Sequence, residues 1–344
     1  MPIIDYNQPV EEIPLFVVQL TRFKNNEGFA IGVAFCRPLS DGTGCFKFIN
    51  SWAKISRGET LEPNEIPYLD RTILKFSHTP TEPRFEQIGL KPLPLILGRS
   101  DNEIERKKKT TAELLKLTAE EVEKLKKKAN ECDIPKGSRP YSRFEAISAH
   151  IWKSASKAHE LSDNQPSAVK FIAEIRNRII PNLPNNYFGY VGILTAATSY
   201  IGEIKSKPLS YVAERIREAK DLLTNEYIRS QIDVIRSFEN VDDARKLFRS
   251  VSGDGKNGAF AGKPNLRIVS WMSMPAHEAD FGWGKPFHFG AADVTPYDRA
   301  IILKSPDGDG SVIVCMYFQV ELMQLFKKYF YGDLHDELFT AARL

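Results

Sequence analysis

Asp280-Phe281-Gly282-Trp283-Gly284-Lys285-Pro286 is the stretch on which the reading of this chain turns. Two large aromatic residues alternate with glycines, so the backbone at 282 and 284 is free to turn tightly and to pack closely against a neighbour. On its N-terminal side, residues 266–272 are rich in β-formers and read as a strand. The run Ser270-Trp271-Met272-Ser273-Met274-Pro275 leads from that strand into the motif. On its C-terminal side, residues 300–303 and 312–318 read as the arms of a hairpin turned by Ser305-Pro306-Asp307-Gly308-Asp309-Gly310. A last helix is expected over residues 320–330.

Near the N-terminus, residues 15–23 and 29–35 read as a second hairpin, joined by Lys24-Asn25-Asn26-Glu27-Gly28. A polar loop, Cys36-Arg37-Pro38-Leu39-Ser40-Asp41-Gly42, follows. Cys45, Phe48, Ile49, Trp52 and Ile55 then recur at helical spacing, with Gly58 as the stop. A loop held between a strand and a helix can present its side chains to a cleft. Residues 60–109 collect prolines (Pro63, Pro67, Pro80, Pro83, Pro92, Pro94) and read as a crossover, with Arg106 to Lys109 as solvated charge. Thr118 and Glu121 form a capping-box pair ahead of Val122, Leu125 and Ala129. Further helices are expected over 143–159 and, as one long stretch, 209–248. A strand is expected over 170–175, before a loop carrying Pro181, Pro184 and Gly189. Mixed strands and helices in two lobes imply α/β or α+β layering. The expected divisions are a first lobe over 1–85, a crossover over 86–110 and a second lobe over 111–344.

With 344 residues, 42% hydrophobic and 26% charged, the chain has the composition of a soluble globular protein large enough for two cores. A net charge of +3 argues against a nucleic-acid partner. Four cysteines (Cys36, Cys45, Cys132, Cys315) form no metal-spaced set and read as free thiols of a reducing compartment, the cytosol. Neither a leader nor a membrane-length apolar run is legible, so no membrane partner is expected. The Asp307–Gly310 stretch lacks the following acidic ligands of a calcium loop, and no metal is expected.

Three segments together carry a resemblance. Asp280-Phe281-Gly282-Trp283-Gly284 reproduces the DFGWG signature of the BAHD acyl-CoA-dependent acyltransferases. Ser40-Asp41-Gly42 resembles the end of that family's HxxxDG motif. Leu183-Pro184-Asn185-Asn186-Tyr187-Phe188-Gly189 resembles its third recurrent stretch, in the right order along the chain. Segments such as Phe48-Ile-Asn-Ser-Trp-Ala-Lys54 and Arg139-Pro-Tyr-Ser-Arg-Phe-Glu145 look most similar to the spermidine hydroxycinnamoyl transferase branch. The resemblance implies a two-lobed chloramphenicol-acetyltransferase-like fold with mixed sheets. It further implies acyl-CoA as co-substrate with no bound cofactor, a small amine or alcohol acceptor, most simply spermidine, and a monomer. Relatives begin well before the first strand, whereas here Met1 lies thirty-six residues before Arg37. An incomplete first lobe is therefore expected, with Phe16, Val18 and Ile31 on an uncovered face and reduced stability.

In that family the HxxxD histidine takes a proton from the acceptor as it attacks the thioester. The position four residues before Asp41 holds Arg37, which stays protonated and offers only donors, so it cannot be the general base. Loss of such a base costs roughly 10²–10⁴ in rate. A cationic polyamine near Arg37 would be repelled by about 4 kcal/mol at ~4 Å and an effective dielectric near 20. These departures leave open a non-catalytic acyl-CoA or polyamine binder, or an inactive relic. The six histidines (His78, His150, His159, His277, His288, His335) read as structural, with His277 the first to test as a substitute base. Asp41 reads as a helix cap, and the resemblance pairs it with an arginine, Arg176 or Arg178. By the same resemblance, Asp280 to Gly284 shape the channel. Ser273 stands where carboxylate-binding relatives carry an arginine, which favours an amine acceptor. Tyr190 replaces an asparagine and would narrow the channel. Ser252 to Gly262 read as a glycine-rich loop, and Lys285 and Arg267 as solvated charges within reach of CoA phosphates.

Overall fold

The computed structural model describes residues 11–36, 38–74, 84–131, 139–239, 261–292 and 298–335. By backbone proximity the chain forms two compact units. The first gathers Met1–His78, Glu174–Gly192 and Ser273–Asp293, and the second Thr79–Ala173, Ile193–Met272 and Val294–Leu344. Two segments from the stretch 111–344 thus belong with the N-terminal residues: one carries the Leu183–Gly189 stretch, the other the DFGWG motif.

In the first unit, β1 (Phe16–Arg22) and β2 (Phe29–Phe35) pair antiparallel, Phe16 opposite Phe35. Their connection turns at Asn25, whose φ of 60° suits a short amide side chain. α1 (Gly42–Ser56) follows, and Gly58, at φ 81°, ends it. The Phe16 ring lies 4.6 Å from Phe35, 5.2 Å from Phe48 and 6.1 Å from Trp52, so it is packed rather than uncovered. Ile31 is half-buried as well; the exposed apolar residues of the hairpin are Val18, Leu15, Leu20, Phe23 and Phe29. The expected face was thus misassigned at Phe16 and Ile31: Phe16 shares a face with Val18 and Leu20, but Phe48 and Trp52 of α1 cover only the Phe16 end of it.

The second unit begins with α2 (Glu103–Arg106) and β3 (Thr110–Leu117). α3 (Ala119–Ala129) and α4 (Arg143–Ala158) follow, each opened by a complete capping box, Thr118 with Glu121 and Ser142 with Glu145. Next come β4 (Pro166–Glu174), β5 (Gly192–Tyr200), α5 (Ile201–Ser206), α6 (Leu209–Asp221) and α7 (Asn225–Arg236). β6 (Leu266–Ser270), β7 (Arg299–Lys304), β8 (Val312–Gln319) and α8 (Val320–His335) complete it. The sheet order is β3-β8-β7-β6-β4-β5, antiparallel across β3/β8/β7 and parallel across β7/β6/β4, a mixed α/β arrangement. One sheet face packs Val169, Phe171, Ile268, Ile302 and Phe318 against Ile151, Ile216, Phe326 and Phe330 of the helices. Each such side chain contributes about 1.5–3 kcal/mol on burial.

Several expectations need correction. The stretch 209–248 is two helices, broken at Leu222–Thr224, where Thr224 accepts from the Tyr227 N–H (3.2 Å) as a new cap; residues beyond 239 lie outside the described ones. β3 and β5 were not anticipated. In the charge run before β3, Lys107 and Lys109 are exposed as expected and Arg106 and Lys108 are half-buried, but neighbouring Glu105 is 3% exposed and meets Arg99 (3.0 Å), Gln319 (2.8 Å) and Lys108 (3.5 Å). Burial opposes the Glu105 charge, yet these donors hold its carboxyl below the ordinary range. Arg267, expected as solvated charge, is 3% exposed. Among the described residues, no helix is long and apolar enough to cross a membrane.

Candidate functional site

Asp41 lies 8% exposed where β2 gives way to α1. Its extended backbone (φ −81°, ψ 179°) makes it the N-cap, and Oδ1 accepts from the Gly44 N–H at 3.0 Å. A side chain at Gly44 would collide with the Ser40 hydroxyl, so the turn requires glycine there. The carboxylate also takes a fork from Arg176, Nη1 to Oδ2 at 2.9 Å and Nη2 to Oδ1 at 3.1 Å. Val191 donates its backbone N–H to Oδ2 (3.3 Å), and the Asp41 N–H is directed to the Gly189 carbonyl (3.3 Å). One carboxylate therefore fixes the start of α1 and the backbone on both sides of Tyr190, itself half-buried.

Arg176 is 3% exposed, and its Nη1 and Nη2 also donate to Glu174 (2.8 Å) and to the Tyr187 carbonyl (3.0 Å), respectively. Burial works against its charge, but Asp41 and Glu174 hold the guanidinium above its ordinary value. Of the two arginines named from sequence, Arg176 makes this contact; the Arg178 backbone N–H turns back onto the Ile175 carbonyl (2.9 Å). The 183–189 stretch is pinned by Leu183 N–H to the Arg176 carbonyl (3.0 Å) and by Tyr68 exchanging backbone bonds with Asn186 (3.0 Å) and Phe188 (2.9 Å). Tyr187 is buried, which pushes its phenol up. A Cβ at Gly189 would fall 2.6 Å from that ring.

The DFGWG segment is a turn organised by its aspartate. Asp280 Oδ1 accepts from the N–H groups of Gly282 (2.7 Å) and Gly284 (3.0 Å), which hold its carboxyl below the usual range. Both glycines sit at positive φ, 100° and 98°, where other residues are strained. Phe281 meets Trp52 of α1 edge-on at 4.7 Å, and Trp283 stacks on Phe29 at 5.1 Å. The Asp280 carbonyl accepts from Arg57, just past the end of α1. Asn50 donates to the Pro275 carbonyl (3.2 Å), and a Cβ at Gly42 would meet the Met274 methyl at 2.5 Å.

α1 thus gathers the motifs, with Asp41 at its start, Asn50 midway and Arg57 at its end. Arg37 lies outside the described residues; on either side of it, the Leu39 N–H reaches the Cys36 carbonyl at 2.9 Å. Ser273 is exposed and lies past β6, which stops at Ser270, so it is a turn residue and not part of the strand. His277 is half-buried, its Nδ1 3.4 Å from the Pro286 carbonyl. His150 (Nε2 2.7 Å from the Phe330 carbonyl) and His159 (2.8 Å from Asp298) are packed inside the second unit. His78 and Cys132, with Ser252 to Phe260, lie outside the described residues. Among those described, no cluster of His, Cys, Asp or Glu is arranged to hold a metal. Glu174, Asn50 and Arg57 were not singled out from sequence; Arg57, directly before the helix-stopping Gly58, was the most accessible of the three.

The Transferase family model matches residues 1–333. The chain is 40% identical over 339 residues to a hydroxycinnamoyl-CoA:piscidic acid hydroxycinnamoyltransferase of Actaea racemosa, covering 97% of this chain and 74% of that one. It is 34% identical to a shikimate O-hydroxycinnamoyltransferase of Nicotiana tabacum, covering 96% and 73%. Among solved structures, F. sporotrichioides TRI101 complexed with coenzyme A and T-2 superposes with a TM-score of 0.67 at 20% identity, over 92% of this chain and 68% of that one.

Proposed function

The chain belongs to the Transferase family of BAHD acyl-CoA-dependent acyltransferases, and on that premise we propose that it carries a hydroxycinnamoyl transferase site whose turnover is suppressed by Arg37. The observation that carries this reading is Asp41, clamped by Arg176 and the 189–191 backbone at the head of α1. It fixes the frame from which a family histidine, four residues earlier, would reach an acceptor. With arginine there, no base removes the acceptor proton, while acyl-CoA binding is retained. Asp41 holds the scaffold, since both its oxygens already accept from fixed donors.

The acceptor is proposed to be an amine of the spermidine kind, because Ser273 offers no fork for a carboxylate. A second reading, a small hydroxy acid, is favoured by the named acceptors of the relatives, piscidic acid and shikimate, and by the charge of Arg37, which attracts a carboxylate and repels a polyamine. Product formation from p-coumaroyl-CoA, offered spermidine or shikimate with the Arg37→His variant, separates the two. Amide product alone supports the first reading, ester product alone the second, and no product with either overturns the proposed site.

A further inference from the structure

β2 forms one edge of the two-stranded sheet in the first unit. Its sequence, Phe29-Ala30-Ile31-Gly32-Val33-Ala34-Phe35, reads nearly the same in both directions about Gly32. The backbone bonds at the two ends of the hairpin show which way each residue's polar groups point. Phe23 donates its N–H to the Gly28 carbonyl (2.9 Å) at one end, and Cys36 donates to the Leu15 carbonyl (2.8 Å) at the other. Hydrogen-bonded and non-bonded pairs alternate along an antiparallel ladder. Thr21 faces Ala30, Gln19 faces Gly32 and Val17 faces Ala34, so these are the pairs bonded to β1. Phe29, Ile31, Val33 and Phe35 therefore turn their N–H and C=O groups away from β1. Among the described residues, no backbone group bonds to that edge.

An open edge of this kind is a template for another strand. A second copy of the chain fits it in both register and charge. Laid antiparallel on itself about a twofold axis at Gly32, the strand sets Phe29 opposite Phe35, Ala30 opposite Ala34 and Ile31 opposite Val33. The outward groups then meet as hydrogen-bonded pairs, Phe29 with Phe35 and Ile31 with Val33. Gly32 meets its own copy at a non-bonded position, where Cα atoms come within about 4.5 Å and a glycine brings no side chain. No residue of the strand is charged and none is proline, so like charges nowhere face one another and the usual guards against edge pairing are missing. The β1 edge, by contrast, carries Arg22 with the polar Gln19 and Thr21. Twofold pairing closes at two copies. It also turns two strands, too few to be stable alone, into four. A contact of seven residues a side falls short of the roughly 800 Å² per partner of a standard interface, so the association is reversible.

We propose that β2 is a homodimerisation edge, across which two copies join their hairpins into one four-stranded antiparallel sheet. This differs from the monomer that the family resemblance implies. It is independent of the acyl-transfer reading.

Sedimentation velocity of the full chain from about 1 to about 100 μM should show reversible exchange between monomer and dimer, as expected for a Kd of tens of micromolar. A monomer throughout overturns the proposal, and so does growth beyond the dimer. The double variant Ala30→Lys with Ala34→Lys sets lysine opposite lysine at two symmetric positions. It should weaken dimerisation by at least about tenfold. Ala30→Glu with Ala34→Glu should do the same, and mixing the two variants should restore a dimer with one copy of each. A lysine variant that dimerises as well as the unaltered chain would put the contact elsewhere, such as the β1 edge, and overturn the assignment. Should the variants fail to fold, hydrogen exchange of the unaltered chain decides. The amides of Phe29, Ile31, Val33 and Phe35 should exchange severalfold more slowly at high protein concentration than at low. Those of Ala30, Gly32 and Ala34, already bonded to β1, should be protected at both. Exchange at the four outward amides that does not change with concentration overturns the edge.

Discussion

The two units bury a carboxylate at a helix cap in different ways. In the first, Asp41 and Arg176 face one another with every carboxylate oxygen matched to a donor, and both lie within a helix cap and a backbone clamp. In the second, Glu145 in the first turn of α4 is fully buried and meets three cations, Arg139 (2.9 Å), Arg217 (3.3 Å) and Lys220 (2.7 Å). The first carboxylate takes its only ion pair from a single arginine, whereas the second spreads its charge over three partners. A buried charge that rests on one partner is the more sensitive to a single substitution.

The largest effect should come from breaking the complete pair. Asp41→Asn retains the capping oxygen but leaves Arg176 with its charge poorly matched, and should cost about 3–5 kcal/mol in urea unfolding. A cost near zero would show the pair to be dispensable to the first unit. A somewhat smaller effect is expected from His150, fully packed in the second unit and lowered to about 4, chiefly by burial. Its unfolded form binds a proton below about pH 6.5 while the folded form stays neutral. Stability should therefore fall as pH drops from 6.5 to 4, by about 3 kcal/mol, and level off below. Urea midpoints of the unaltered chain and His150→Gln across that range should converge toward low pH; parallel curves would contradict the assignment. The smallest effect concerns a neutral cap. Ser142→Ala removes one acceptor from the α4 N-terminus and should cost about 1 kcal/mol. Glu145 there is fully buried but keeps Arg139, Arg217 and Lys220, so charge balance survives. A loss as large as that of Asp41→Asn would erase the distinction between cap and ion pair.

Much of this was legible in the chain, for physical reasons that differ by element. The hairpins announced themselves through β-rich arms and turn residues, and the α3 start through Thr118 and Glu121. β3 was hidden because it follows four cations directly and its Ala112, Glu113, Leu114, Leu115 and Lys116 favour helix over strand in isolation. β5, Gly192 to Tyr200, carries Gly192, Ala196 and Ala197, which dilute the β signal of Ile193, Thr195, Thr198 and Tyr200. The break between α6 and α7 was missed because amphipathic spacing persists across Leu222 to Thr224. At the site, residue types with a chemical signature could be read, whereas Asn50 and Arg57 reach backbone carbonyls more than 200 positions away, and nothing local records that. Arg267 was misread because sequence spacing does not reveal which strand face is covered.

The most direct test of the central claim is release of free CoA from p-coumaroyl-CoA in the presence of spermidine, comparing the unaltered chain with Arg37→His. A scaffold held by Asp41 and silenced at one position predicts that only the histidine variant turns over, faster by roughly 10²–10⁴. Equal and substantial turnover by the unaltered chain would contradict the account and point to another base, with His277 the first to replace.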